Sequence, residues 1–282
     1  MLNCGMRGRI RTLLTIAGLL FGGADAQAQE PVDVTLVLAV DVSRSMSSNE
    51  LAIQREGYAA ALNHPDVVRA IGQGGYGRIA VTMFEWAGTG SIREVFGWTL
   101  LASGADADRL SEIVRNSDPV GLRRTSISGA ILHALKLLDE APYEGLRKVI
   151  DISGDGPNNQ GQPVLEAREV ALSKQIVING LPLMTRDGPG SSFNIEDLDV
   201  YYGECVIGGP GSFLVPVKSW DQFPEAIRRK LIQEIGGLPP LTQTVIPAQA
   251  APFEFMRPNS EPYDCLIGEK IWEQRQWMLD DR

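Results

Sequence analysis

Residues 34–40, VTLVLAV, form an almost unbroken apolar run that stops at a carboxylate, Asp41, followed by serines at 43, 45 and 47. A strand that alternates apolar and polar residues can rest one face on a core and leave the other in water. This run has apolar side chains for both faces, which is the pattern of a parallel sheet covered on both sides. It therefore predicts a fully buried strand of an α/β sheet. The abrupt polar ending predicts that the carboxyl end of that strand meets solvent.

The rest of the chain extends this reading. Arg78–Phe84 and Glu94–Leu100 read as strands joined by a Gly-rich turn near Gly88–Gly90; Lys148–Ser153, Ile176–Leu181 and Phe213–Val217 read as three more. Between and around them, Ser47–Asn63, Asp106–Arg115, Ser126–Asp139, Val164–Lys174 and Phe223–Ile235 read as helices, several with apolar residues at helical spacing. Gly72–Gly77 reads as a helix-to-strand turn. Alternation of this kind predicts an α/β domain over residues 32–236: a doubly wound, mostly parallel six-stranded sheet flanked by helices. Beyond it, 237–282 reads as a linker and C-terminal tail. Leu238–Pro252 carries four prolines and no helical period, and Trp272 and Trp277 fall on a short helix further on.

Ligands of doubly wound sheets sit outside the carboxyl ends of the strands. Three polar clusters fall there: Asp41-Val42-Ser43-Arg44-Ser45, Arg124-Thr125-Ser126 and Ser153-Gly154-Asp155-Gly156. Residues 41, 43 and 45 alternate, so an extended loop would turn their side chains to one side. Asp41 and Asp155 with the hydroxyls of Ser43, Ser45 and Thr125 make an oxygen-only donor set. Hard divalent cations want such donors, and Mg2+ in particular accepts few carboxylates and retains water.

These residues also carry a family resemblance. DVSRSM resembles the D-x-S-x-S-M signature of von Willebrand factor A domains. TSISGAI (125–131) resembles that family's T-x-x-x-x-A-[LI] loop and helix, SGDGPNN (153–159) its T-D-G-x-x-N turn, and FEWAG (84–88) its second-strand ending. The resemblance covers residues 32–236 and, more narrowly, points to a group of exported bacterial proteins that carry this domain. It implies a metal-ion-dependent adhesion site in which Ser43, Ser45 and Thr125 are direct ligands of Mg2+, with Mn2+ or Ca2+ as alternatives. Asp41 and Asp155 would bind directly or through water. It further implies a protein partner whose Asp or Glu fills an open coordination position.

Two departures from the pattern stand out. Glycine usually precedes the threonine; here Arg124 does, with Arg123 beside it, and either arginine could hinder the site or bind an acidic partner. The usual T-D-G reads G-D-G, which assigns the metal role to Asp155, with Asp151 as its competitor four residues earlier. Ser47-x-x-Glu50 has the form of a helix-capping box, which accounts for Ser47 and leaves Asp41, Ser43 and Ser45 to the metal reading.

The N-terminus has the layout of a cleaved signal peptide over residues 1–28. Arg7, Arg9 and Arg11 precede a short apolar core, Leu13–Phe21, and two A-x-A sites end at Ala26 and Ala28. The expected mature protein is therefore periplasmic or secreted, with no membrane span. Losing three of the 26 basic and one of the 35 acidic residues moves the formal net charge from −9 to −11, which argues against nucleic acid as a partner. Cys205 and Cys265 remain as the only mature thiols, and in an oxidising compartment they are expected to pair. His64 and His133, the only histidines, read as structural, and neither G-x-S-x-G nor G-x-x-x-x-G-K-[ST] is present. The expected function is thus an exported, non-enzymatic, metal-dependent protein-binding module. A metal-assisted hydrolase using Asp41 or Asp155 is the first alternative, and a metal-free assembly scaffold the second.

Overall fold

Strand β1 (Glu30–Asp41) lies in the middle of the sheet and is covered on both faces, as its two-sided apolar sequence requires. The computed structural model describes residues 1, 29–118, 121–185, 195–236 and 262–280. Residues 2–28 of the expected leader and 237–261 of the expected linker lie outside them. β1 pairs in parallel with β2 (Ile79–Trp86) on one side and β4 (Tyr143–Gly154) on the other. β3 (Ile92–Leu101) follows β2 after a five-residue turn, too short for a crossover, and pairs with it antiparallel. β5 (Val177–Pro182) extends the other edge, giving the order β3-β2-β1-β4-β5.

The sheet has five strands, not the six expected. Phe213–Val217 does lie along β5: Gly180 N–H donates to the Phe213 carbonyl (3.0 Å), and the Gly180 and Pro182 carbonyls accept from Val215 and Val217 N–H (3.0 and 2.9 Å). The bond that would join these contacts needs an N–H at position 182. Proline has none, so the segment makes isolated bridges rather than a continuous ladder.

Side chains of β1 divide by the period of two. Val34, Leu36, Leu38 and Val40 enter one core with α1 (Ser48–Leu62), α2 (Pro65–Gly72), α3 (Gly104–Asn116) and α7 (Phe223–Gly236). Val37 and Ala39 enter the other, with α4 (Ile127–Asp139), α5 (Val164–Ser173) and the short α6 (Leu198–Tyr201). α6 runs on into a π turn, Tyr202–Val206. A last helix, α8 (Ile267–Asp280), follows Cys265. Both histidines are structural: His64 caps α2, accepting from Asp66 N–H, and His133 packs edge-on against Phe84. Among the described residues, no helix is long and apolar enough to cross a membrane.

Helices α1 and α7 cross closely at Gly57. A Cβ there would lie 2.5 Å from the ring of buried Phe223, which itself packs edge-on against Tyr58. Gly57→Ala is therefore expected to cost about 1–3 kcal/mol from overpacking, although alanine is the better helix former. The urea midpoint reads this directly, and an unchanged or raised midpoint would contradict the close crossing.

Candidate metal centre

Three loops converge at the carboxyl end of the sheet. The first, from Asp41 to Ser47, leaves β1 and is held by its own aspartate: Ser43 N–H donates to Asp41 Oδ1 at 2.7 Å. The second precedes α4. Leu122 N–H donates to the Val42 carbonyl (2.9 Å), which ties this loop to the first. The third follows β4, and Asn159 links it to the second in both directions. Its side-chain oxygen accepts from Thr125 N–H (3.0 Å), and its N–H donates to the Thr125 carbonyl (2.9 Å).

Asp41, Ser43, Ser45 and Asp155 meet here, and Thr125 stands on the second loop, tied to the third through Asn159. Ser45 Oγ donates to Asp155 Oδ1 at 2.7 Å, Ser43 Oγ lies 3.4 Å from the same oxygen, and the two hydroxyls are 2.9 Å apart. Asp41, Ser43, Thr125 and Asp155 are all buried, and Ser45 is partly so. Asp41 Oδ2 is buried without a hydrogen-bond partner. Ser47 stays out of the cluster and caps α1: its Oγ accepts from Glu50 N–H, and its N–H donates to Glu50 Oε2.

Two buried acids, Asp41 and Asp155, lie close enough for their charges to interact. Burial first, and then the charge of Asp155, holds the Asp41 carboxyl well above the usual carboxylate range. Burial also pushes Asp155 up to about 6, against the hydroxyl of Ser45, which lowers it. Both shifts say that the ionised pair wants positive charge. Among the described residues no three His, Cys, Asp or Glu gather together, so a cation here would depend on hydroxyls for the rest of its shell. An orphaned carboxylate oxygen, a second carboxylate and uncharged hydroxyls fit a hard divalent cation.

Asp151 is elsewhere. It lies within β4, where strand alternation turns it toward α7, and its carboxylate sits 2.6 Å from Lys230 Nζ. Asp155 lies just beyond the strand and is free of that alternation. The two arginines also part company. Arg123 is exposed, and its carbonyl accepts from Gly88 N–H. Arg124 adopts φ 74°, the left-handed region that favours glycine, which is the residue usual in the resembled pattern. Its guanidinium stacks over the Trp272 ring of α8, 3.8 Å from the centroid.

Several contributors had no assigned role in the sequence reading. Asn158 and Asn159 were visible only as part of the D-G-P-N-N turn. Tyr202 is buried, and a Cβ at Gly154 would fall 2.8 Å from its Oη and 3.0 Å from Asp41 Oδ2. Position 154 therefore has to be glycine for strand end, phenol and carboxylate to fit together. Cys205 and Cys265 form the expected disulfide, with Cα atoms 5.6 Å apart.

Comparison with known proteins fits this geometry. Residues 31–239 match the family described as Protein of unknown function (DUF1194). No curated protein matches. Among solved structures, the pilus adhesin SpaC from Lactobacillus rhamnosus GG superposes with a TM-score of 0.55 at 13% identity, over 74% of this chain and 31% of that one. A von Willebrand factor type A protein from Catenulispora acidiphila gives 0.52 at 13%, over 73% and 43%. Proximal thread matrix protein 1 from the mussel byssus, in a structure described as having a zinc-occupied MIDAS motif, gives 0.52 at 10%, over 74% and 49%. The chain thus spans less than half the length of each. At these identities the likeness establishes a von Willebrand factor A-like fold.

Proposed function

The chain belongs to the DUF1194 family, and we propose that it is an exported, non-enzymatic binding module that engages an Asp or Glu of a protein partner through a divalent cation. Mg2+ is the first choice and Mn2+ or Ca2+ the alternatives. One observation carries this reading: Ser43 and Ser45 converge on Asp155 beside the unpartnered oxygen of Asp41. Asp41, Ser43, Ser45, Thr125 and Asp155 would hold the ion, which supplies positive charge that an external carboxylate can share. The pilus adhesin and the mussel protein with its zinc-occupied motif lend support by fold. The N-terminal leader pattern and the Cys205–Cys265 bond support export.

The chain's own residues have separate tasks. The Asn159–Thr125 pair fixes the second loop against the third, so the threonine hydroxyl is placed before any ligand arrives. Arg123, exposed at the rim, adds charge that would speed the approach of an acidic partner.

Panning a displayed random-peptide library against the immobilised protein in Mg2+, with chelator elution, tests the reading. Eluted peptides should be enriched in Asp or Glu, and the enrichment should vanish with Ser43→Ala or Thr125→Ala. Arg123→Ala should slow association and flatten its salt dependence while sparing equilibrium cation binding. Chelator-insensitive peptides without acidic enrichment would contradict the reading. So would metal-dependent phosphoester turnover that disappears in Asp41→Asn.

A further inference from the structure

Two of the three donor loops lean on a segment remote in sequence. At the third loop, Asn158 is a hub: its side-chain oxygen accepts from Ser128 N–H (3.1 Å), and its own N–H donates to Tyr201 Oη (3.1 Å). Its Nδ2 donates to Glu269 Oε1 of α8 at 2.7 Å. The first turn of α8 is pressed against the same residue, since a Cβ at Gly268 would lie 2.0 Å from the Asn158 carbonyl oxygen. At the second loop, Trp272 of α8 lies under Arg124. Glu269 therefore holds the residue three beyond Asp155, and Trp272 holds the residue just before Thr125.

The other support comes from behind the sheet end. Tyr201 and Tyr202 are neighbours at the start of the π turn; one accepts from Asn158 N–H, and the other faces Gly154 beside Asp41. Cys205 belongs to the same turn and is bonded to Cys265, two residues ahead of α8. One covalent link thus joins the tyrosines behind Asp41 and Asp155 to the helix beside Thr125 and Asp155. A 14-residue helix such as α8 is marginal in water by itself. Closing a loop of 60 residues with a disulfide removes much of the entropy that would keep it away.

We infer that α8, tethered by Cys205–Cys265, positions the Thr125 and Asp155 loops through Trp272 and Glu269, so that cation affinity depends on the integrity of this disulfide. The inference rests on the cation reading above and adds to it a control point outside the donor set. Outer partners of metal ligands typically change affinity about 10–100-fold when lost. Glu269 reaches the site through Asn158 and Trp272 through Arg124.

The experiment uses the full mature chain, with two readouts on wild type, Cys265→Ala, Trp272→Ala, Glu269→Ala and Glu269→Gln. Calorimetric titration with MnCl2 should show affinity about tenfold or more weaker in the three alanine variants. Glu269→Gln, which keeps an acceptor for Asn158 Nδ2, should stay near wild type. Hydrogen exchange of the cation-free protein should show lost protection at 121–126 and 155–160 in the alanine variants, with the amides of β1 and β4 unchanged. Unchanged loop exchange and affinity in the alanine variants would overturn the inference, as would equal loss in Glu269→Ala and Glu269→Gln. If wild type binds no cation, the cation reading and the affinity dependence fail together. The exchange readout then still decides whether α8 positions the loops.

Discussion

Lys230→Met is expected to destabilise the protein by about 3–5 kcal/mol at pH 7.5, the usual cost of removing one partner from a buried ion cluster. Lys230 on α7 is fully buried between two acids, Asp151 of β4 at 2.6 Å and Glu234 one helical turn along. Asn179 Nδ2 donates to the same Glu234 oxygen at 3.1 Å. One ammonium thus serves two buried carboxylates, and its removal would leave them facing each other in a low-dielectric interior. Burial raises the Asp151 carboxyl above its ordinary value; burial, followed by the charge of Asp151, pushes Glu234 up to about 7. An acid raised in the folded state adds stability at low pH and loses it as pH rises through its folded value. The deficit of the variant should therefore be largest above pH 7 and shrink as pH falls toward 4.5, as the folded state takes up protons. Urea midpoints of wild type and variant at pH 5 and 7.5 measure this. Replacing Asp151, Lys230 and Glu234 together by Leu, Met and Leu should recover most of the loss, because an apolar cluster has no charge to desolvate. A deficit below about 1 kcal/mol at pH 7.5 would mean that the cluster is not the buried ion network described.

The sheet and the first donor loop were legible because their signals are local. Continuous apolar sequence identifies β1, and Ser43 and Ser45 follow its last residue, Asp41, within four residues. The choice of Asp155 over Asp151 rested on the match of G-D-G to the resembled turn; in the structure, strand alternation turns Asp151 to the α7 side, where it pairs with Lys230. The sixth strand failed for a reason also written in the chain, the missing N–H of Pro182, whose effect depends on which residue it faces across the ladder. α2 was legible only through the helix-to-strand turn that follows it, because eight residues are too few to show a helical period. Lys230 could not be read as buried, because a lysine in an amphipathic helix ordinarily faces solvent. Glu269 bonds Asn158 across 111 residues, a separation at which neither periodicity nor motif carries information. Arg124 sits where the resembled pattern has glycine, and what its side chain does emerged only once Trp272 was seen beneath it.

Cation binding at Asp41 and Asp155 should carry the second large effect. Without a cation, Asp155 titrates near 6 in the folded protein against about 3.8 unfolded, and Asp41 is raised as well. Stability contributed by protonated Asp155 is present below about pH 4 and lost as pH rises through about 6, and raised Asp41 acts in the same direction, so chelator-treated protein should weaken toward neutrality. A cation reverses this, because it binds the ionised forms. At a concentration 100-fold above its dissociation constant it adds about 2.7 kcal/mol, or roughly 5–10 °C in melting temperature for a domain of this size. The most direct measurement is calorimetric titration of chelator-treated protein with MgCl2 and MnCl2 at pH 5 and 7.5, in wild type, Asp41→Ala and Asp155→Ala. The account predicts one saturable site at pH 7.5, weakened at pH 5 and absent from both variants. No saturable binding in wild type, or equal binding in the variants, would contradict it.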